Sequence, residues 1–124
     1  MPGVDEGDLI AVDKQMYLPF DPLRKRTLMI AFSNGTDNQA GVRKVVEAFK
    51  DDVEYFEPRN EPNFSSSGAN FVTNELIPFY QTVKSVSPKL KVLGPGIVTI
   101  GPGYGLPWIE DFLRAGGANY LDAF

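Results

Sequence analysis

The segment Tyr55-Phe56-Glu57-Pro58-Arg59-Asn60-Glu61-Pro62-Asn63 places a carboxyl group at the end of an apolar run that begins at Val53. The run has the pattern of a strand, and it delivers Glu61 to its own C-terminal tip. In a (β/α) barrel those tips form the active face. A glutamate held there can hand a proton to a leaving oxygen, the step that breaks a glycosidic bond. A retaining mechanism needs two carboxyl groups ~5–5.5 Å apart, one protonated and one ionised as nucleophile. Glu61 suits the first duty. Pro62 favours an extended backbone at Glu61, which fixes where its side chain leaves the strand.

Composition removes most other chemistries. The 124 residues include no cysteine and no histidine. Thiol nucleophiles, disulfides, a Ser-His-Asp triad and a His-ligated zinc are therefore excluded within the chain. Carboxylates, Tyr and Lys are left for proton transfer. The net charge of −4 argues against nucleic acid as a partner, because a nucleic-acid binder usually presents a basic face. No apolar run approaches the ~20 residues of a membrane span. Residues 1–13 are acidic and lack the basic start and apolar core of a signal peptide. Localisation is not set by the sequence.

The elements that must position Glu61 follow from hydrophobic periodicity. Leu28-Met29-Ile30-Ala31-Phe32 is a continuous apolar run, fit for a strand buried on both faces. A helix over 39–50 carries Val42, Val45, Val46 and Phe49 on one face. After the strand that ends near Glu61, residues 63–70 read as a loop. A helix over 71–86 must then accommodate Pro78, by a kink near Leu76 or by a late start. Lys91-Val92-Leu93 is a third strand. A Gly-Pro-rich loop leads to Pro107 at a helix start, and Gly116-Gly117 caps that helix. Tyr120 to Phe124 begins a fourth strand. Residues 1–26 are an unassigned N-terminal segment, broken by Pro19 and Pro22. The alternation over 27–124 predicts an α/β fold with parallel strands. It allows a doubly wound sheet or part of a barrel. No dinucleotide fingerprint follows any strand. Stopping in mid-strand suggests an incomplete domain whose bare sheet edges invite self-association.

The same residues resemble a family. Glu57-Pro58-Arg59-Asn60-Glu61-Pro62-Asn63 looks like the fourth-strand motif of clan A retaining glycoside hydrolases. Ser87 to Pro95 resembles the lead into the fifth strand, Trp108 to Leu113 with Gly116-Gly117 its helix, and Leu121-Asp122-Ala123-Phe124 the start of the sixth. The similarity is nearest to the β-xylosidase and α-L-iduronidase group, family 39. It implies a partial (β/α)8 TIM barrel, about strands three to six, with parallel strands alternating with helices. It further implies O-glycosyl bond hydrolysis by double displacement, a carbohydrate substrate, no cofactor and no metal. Glu61 would be the general acid/base and Asn60 the ligand of the sugar 2-hydroxyl. The family's nucleophile is a glutamate of the seventh strand, so the 124-residue chain alone is expected to be inactive. A parent protein of this kind often works outside the cell.

Arg59 stands where the family pattern has an aromatic residue. A cation so close to Glu61 opposes an acid role unless Glu57 fully engages it. Glu57 shares strand parity with it, and an interior Glu57–Arg59 ion pair is the expectation. Phe64 and Tyr104 follow strand tips and are candidate sugar-stacking residues. Trp108 and Tyr80 read as packing residues, and Asp37 as a loop cap. Glu75, Glu110 and Asp111 fall on helices and Asp122 at the far end of a strand, so none is placed as partner of Glu61. The alternative function is a non-catalytic carbohydrate-binding or structural half-barrel.

Overall fold

The structure is a computed structural model that describes residues 29–32, 38–101 and 104–124. Its elements run β1 (Met29–Ala31), α1 (Gln39–Phe49), β2 (Tyr55–Glu57), a 3-10 turn (Pro62–Phe64), α2 (Gly68–Phe71), a π-helical stretch (Val72–Leu76), α3 (Ile77–Val86), β3 (Lys91–Val92), α4 (Leu106–Arg114) and a second 3-10 turn (Gly117–Tyr120). The strands form an open parallel sheet in the order β1-β2-β3. A parallel bridge between Leu93 and Ala123 continues it toward the C-terminal end. The α/β fold with strands and helices alternating is thus as expected. The first 26 residues lie outside the described residues, as does Asp37.

Strand pairing sorts the side chains onto two faces. Ile30, Phe56 and Val92 stand opposite one another in the ladder, and so share a face. Phe56 and Val92 are fully buried there beneath Val42 and Val46 of α1, Phe71 of α2, Phe79 and Val83 of α3, and Phe112 of α4. Every described helix packs on this face. Met29, Tyr55 and Lys91 occupy the other row, followed by Ala31 and Glu57. None of these five is buried. The expectation of a first strand buried on both faces is therefore corrected: Met29 is 50% exposed and only the Ile30 side meets the core. An apolar run alone does not show which of its two faces meets the core.

The helix expected over 71–86 begins earlier, at Gly68. Ser67 caps it, its hydroxyl accepting from the Asn70 N–H at 3.1 Å. The π-helical stretch resolves the Pro78 problem. Ile77 N–H reaches back five residues to Val72 O, and Pro78 falls at the start of α3, where its missing N–H leaves no bond unmade. The anticipated kink is thus a widened turn. Gly116 adopts the left-handed φ of 83° expected of the α4 cap. Trp108 packs as expected, stacked on Phe112 at 5.4 Å, and its indole N–H donates to Ser66 O at 2.9 Å. Tyr80 meets Tyr120 edge-on.

Asp122 fastens the C-terminal end. Its carboxylate accepts from Lys84 Nζ and from Val92 N–H, both at 2.8 Å. Burial by itself would raise its pKa. The Lys84 hydrogen bond and charge, the Val92 N–H and the charge of Lys91 outweigh that and hold it below the usual carboxylate range. A lowered folded-state value stabilises above the unfolded pKa and is lost as pH falls through the folded one. Asp122→Asn is expected to lose about 1 kcal/mol at neutral pH, modest because the pair is partly solvated. The deficit should shrink in acid. Urea titrations at both pH values check this, and an equal deficit in acid would rule the ion pair out as its source.

Candidate active site

The C-terminal ends of the three strands are bridged by the segment that follows β2. Phe32 N–H donates to Glu57 O at 3.1 Å, and Asn60 N–H donates back to Phe32 O at 2.8 Å. One residue later, Glu61 N–H donates to Gly96 O at 2.9 Å, in the segment beyond β3. Asn60 and Glu61 are therefore pinned to opposite neighbours, and both are exposed on this rim.

Glu61 is also the one non-glycine residue with positive φ among the described residues, at φ 49° and ψ 50°. The extended backbone expected before Pro62 is corrected: the chain turns left-handed at Glu61 and drops into the 3-10 turn that Pro62 opens. A left-handed conformation at a residue other than glycine costs about 1–3 kcal/mol, and such strain concentrates at functional positions. The two opposed backbone bonds explain how it is held.

Arg59 does not pair with Glu57. Its guanidinium donates to Glu75 Oε1 at 2.9 Å and to the Ser65 hydroxyl. Strand parity fails because regular pairing ends at Glu57, so the chain is free to rotate Arg59 toward the π-helical stretch that carries Glu75. The cation is thus engaged, by a carboxylate that sequence reasoning had set aside. Glu57 instead accepts from Gly96 N–H at 2.8 Å. Its Oε1 and Asn60 Oδ1 both lie within 3.4 Å of the point where a Cβ on Gly96 would stand. Glu57 and Asn60 accordingly flank one backbone position on the rim.

Phe64 and Tyr104 come together. Their rings meet edge-to-face, centroids 5.6 Å apart, and Phe64 is 59% exposed. Asn63, absent from the expected site, links the two loops. Its side chain is buried and holds both backbone polar groups of Val98. The remaining carboxylates serve elsewhere. Asp111 caps α2 by accepting from Ala69 N–H at 2.8 Å, and Asp122 lies at the opposite end of β3. Among the described residues no cluster of three or more acidic side chains could hold a metal ion. No described helix is long and apolar enough to cross a membrane.

A cavity of about 350 Å³ opens at the other rim, between residues 50–54 and Lys89-Leu90. It mixes Lys50 and Lys89 with Asp51, Asp52 and Glu54 and contains neither Glu61 nor the aromatic pair. Glu61 and Asn60 are exposed on their rim, and residues 33–37 and 102–103 are outside the described residues.

Comparison of the chain with protein-family models, with curated proteins and with solved structures finds no match. The class defined by the geometry itself is an α/β fold, three parallel strands alternating with helices in an open sheet.

Proposed function

We propose that the chain carries the acid/base half of a retaining glycoside hydrolase site, built on part of a (β/α)8 barrel. The observation that carries the proposal is the strained, left-handed Glu61 held between two strand tips on the C-terminal rim of a parallel sheet. The described helices all pack on a single face of the sheet, which supports the barrel, since a doubly wound sheet is covered on both. The resemblance of residues 57–63 to the clan A motif supplies the reaction. Glu61 donates its proton to the leaving oxygen as the glycosidic C–O bond breaks, while a second carboxylate bonds to the anomeric carbon. Glu61 then takes a proton from the water that displaces that carboxylate. Asn60 meets the sugar 2-hydroxyl.

The nucleophile is assigned to no described residue. Glu57 shares the rim, but its Oε1 is held by Gly96 N–H. That engagement favours a second reading, a carbohydrate-binding half-barrel without catalysis. We therefore expect the 124-residue chain to bind a xylo-oligosaccharide and to leave aryl glycosides essentially unhydrolysed. Asn60→Ala should weaken binding about tenfold, the loss of one good hydrogen bond. Calorimetry and a chromogenic assay test both. Absence of saturable sugar binding would refute the proposal, and turnover abolished by Glu61→Gln would overturn the half-site assignment.

A further inference from the structure

The segment from Gly94 to Gly101 has no regular secondary structure, so its backbone polar groups must find other partners. Four hydrogen bonds join it to the Glu61 rim: Glu61 N–H to Gly96 O, Gly96 N–H to Glu57 Oε1, and the two between Asn63 and Val98. The last two are the most demanding. Asn63 is only 7% exposed, and both ends of its amide bond the same residue. Nδ2–H donates to Val98 O at 2.7 Å, and Val98 N–H donates to Oδ1 at 3.1 Å. The amide thus replaces the edge of a neighbouring strand. Aspartate has no donor for Val98 O when ionised, and leucine has neither donor nor acceptor. Phe64 follows Asn63 directly in the 3-10 turn, and its ring meets that of Tyr104, six positions after Val98 in the sequence.

The geometry points to Asn63 as the positioning residue of this rim. By seating Val98 it sets Tyr104 against Phe64, and the two rings form a ledge for the apolar face of a sugar ring next to Glu61. The choice of ligand rests on the glycosidase proposal. The positioning does not. The edge-to-face pair leaves two ring faces inclined to one another, here by 62°, and an exposed ring face is an apolar platform for C–H groups.

The test uses the full 124-residue chain in solution. Wild type should show a cross-peak between the Phe64 and Tyr104 ring protons and a slowly exchanging Val98 amide. Asn63→Ala should lose the cross-peak and exchange Val98 about tenfold faster or more. Asn63→Asp should behave like Asn63→Ala at neutral pH, where its carboxylate faces Val98 O. It should recover the cross-peak in acid, where the protonated carboxyl can donate to that oxygen. Merely filling space would give no such pH-dependent return. Trp108 emission reports folding in each variant. An intact cross-peak and protected Val98 in Asn63→Ala would overturn the positioning role, as would an Asp variant that stays unlatched in acid while folded. Titration with a xylo-oligosaccharide tests the ledge separately. Binding that Tyr104→Ala weakens supports it. A wild type with its rings in contact and no response to sugar contradicts the ledge and the glycosidase assignment together, and leaves the Asn63–Val98 result standing.

Discussion

Gly68→Ala is expected to destabilise the fold by about 1–3 kcal/mol, the usual range for forcing volume into a packed contact. Intrinsic helix propensity predicts the opposite sign, a gain of about 1 kcal/mol for alanine over glycine inside a helix. The close approach of α2 to α4 decides between them. A Cβ on Gly68 would stand 2.4 Å from Phe112 N and 2.6 Å from Trp108 O. Both are backbone atoms of a helix whose Phe112 ring is fully buried, so neither can move aside alone. The contact is also where Asp111 caps Ala69 N–H and Trp108 reaches Ser66 O. Separating the helices would strain both bonds and disturb residues 65–67, which follow the Glu61 turn. Urea midpoints for the two proteins give the sign directly. A stabilised alanine variant would show that the two helices do not meet as closely as described.

Replacing Glu61 by glycine should have the reverse effect, a gain of up to about 2.5 kcal/mol. The left-handed backbone costs about 1–3 kcal/mol in a residue with a side chain. Glycine escapes that cost and gives back roughly 0.5–1 kcal/mol through its freer unfolded chain. No side-chain hydrogen bond that caps the turn would be lost, since Glu61 makes none there. On the proposed assignment, the stabilised variant should bind a xylo-oligosaccharide more weakly than wild type. A residue kept for its carboxyl, at the expense of backbone comfort, gives this opposition between stability and binding. A Glu61→Gly variant less stable than wild type would mean that the side chain supports the fold, and would remove the main reason to place it in a site.

Much of the scaffold was legible because periodicity reports burial. Val42, Val46 and Phe49 line the core face of α1 as their spacing requires, and Ile30, Phe56 and Val92 mark the three strands. Glu61 and Asn60 were placed at a strand tip by the apolar run before them, and they lie there. Other features were hidden for physical reasons. The left-handed turn at Glu61 comes from two hydrogen bonds to Phe32 and Gly96, residues distant in sequence, and it overrides the local preference set by Pro62. Arg59 chose Glu75 over Glu57 because parity ends where pairing ends. Asn63 looked like one more loop asparagine, and only its contact with Val98, 35 positions away, gives it a role. The one signal that could have raised it is the motif itself, where a polar residue follows Pro62 at a position the fold buries.

The most direct measurement is a nuclear magnetic resonance titration of the 124-residue chain with a xylo-oligosaccharide, following the Glu61 side-chain carboxyl carbon and the Asn60 side-chain amide. The two should shift together and saturate at one ligand concentration, while Lys50 and Lys89 at the opposite cavity stay unchanged. Shifts confined to the Lys50–Lys89 rim, or none at Glu61 at any sugar concentration, would contradict the account.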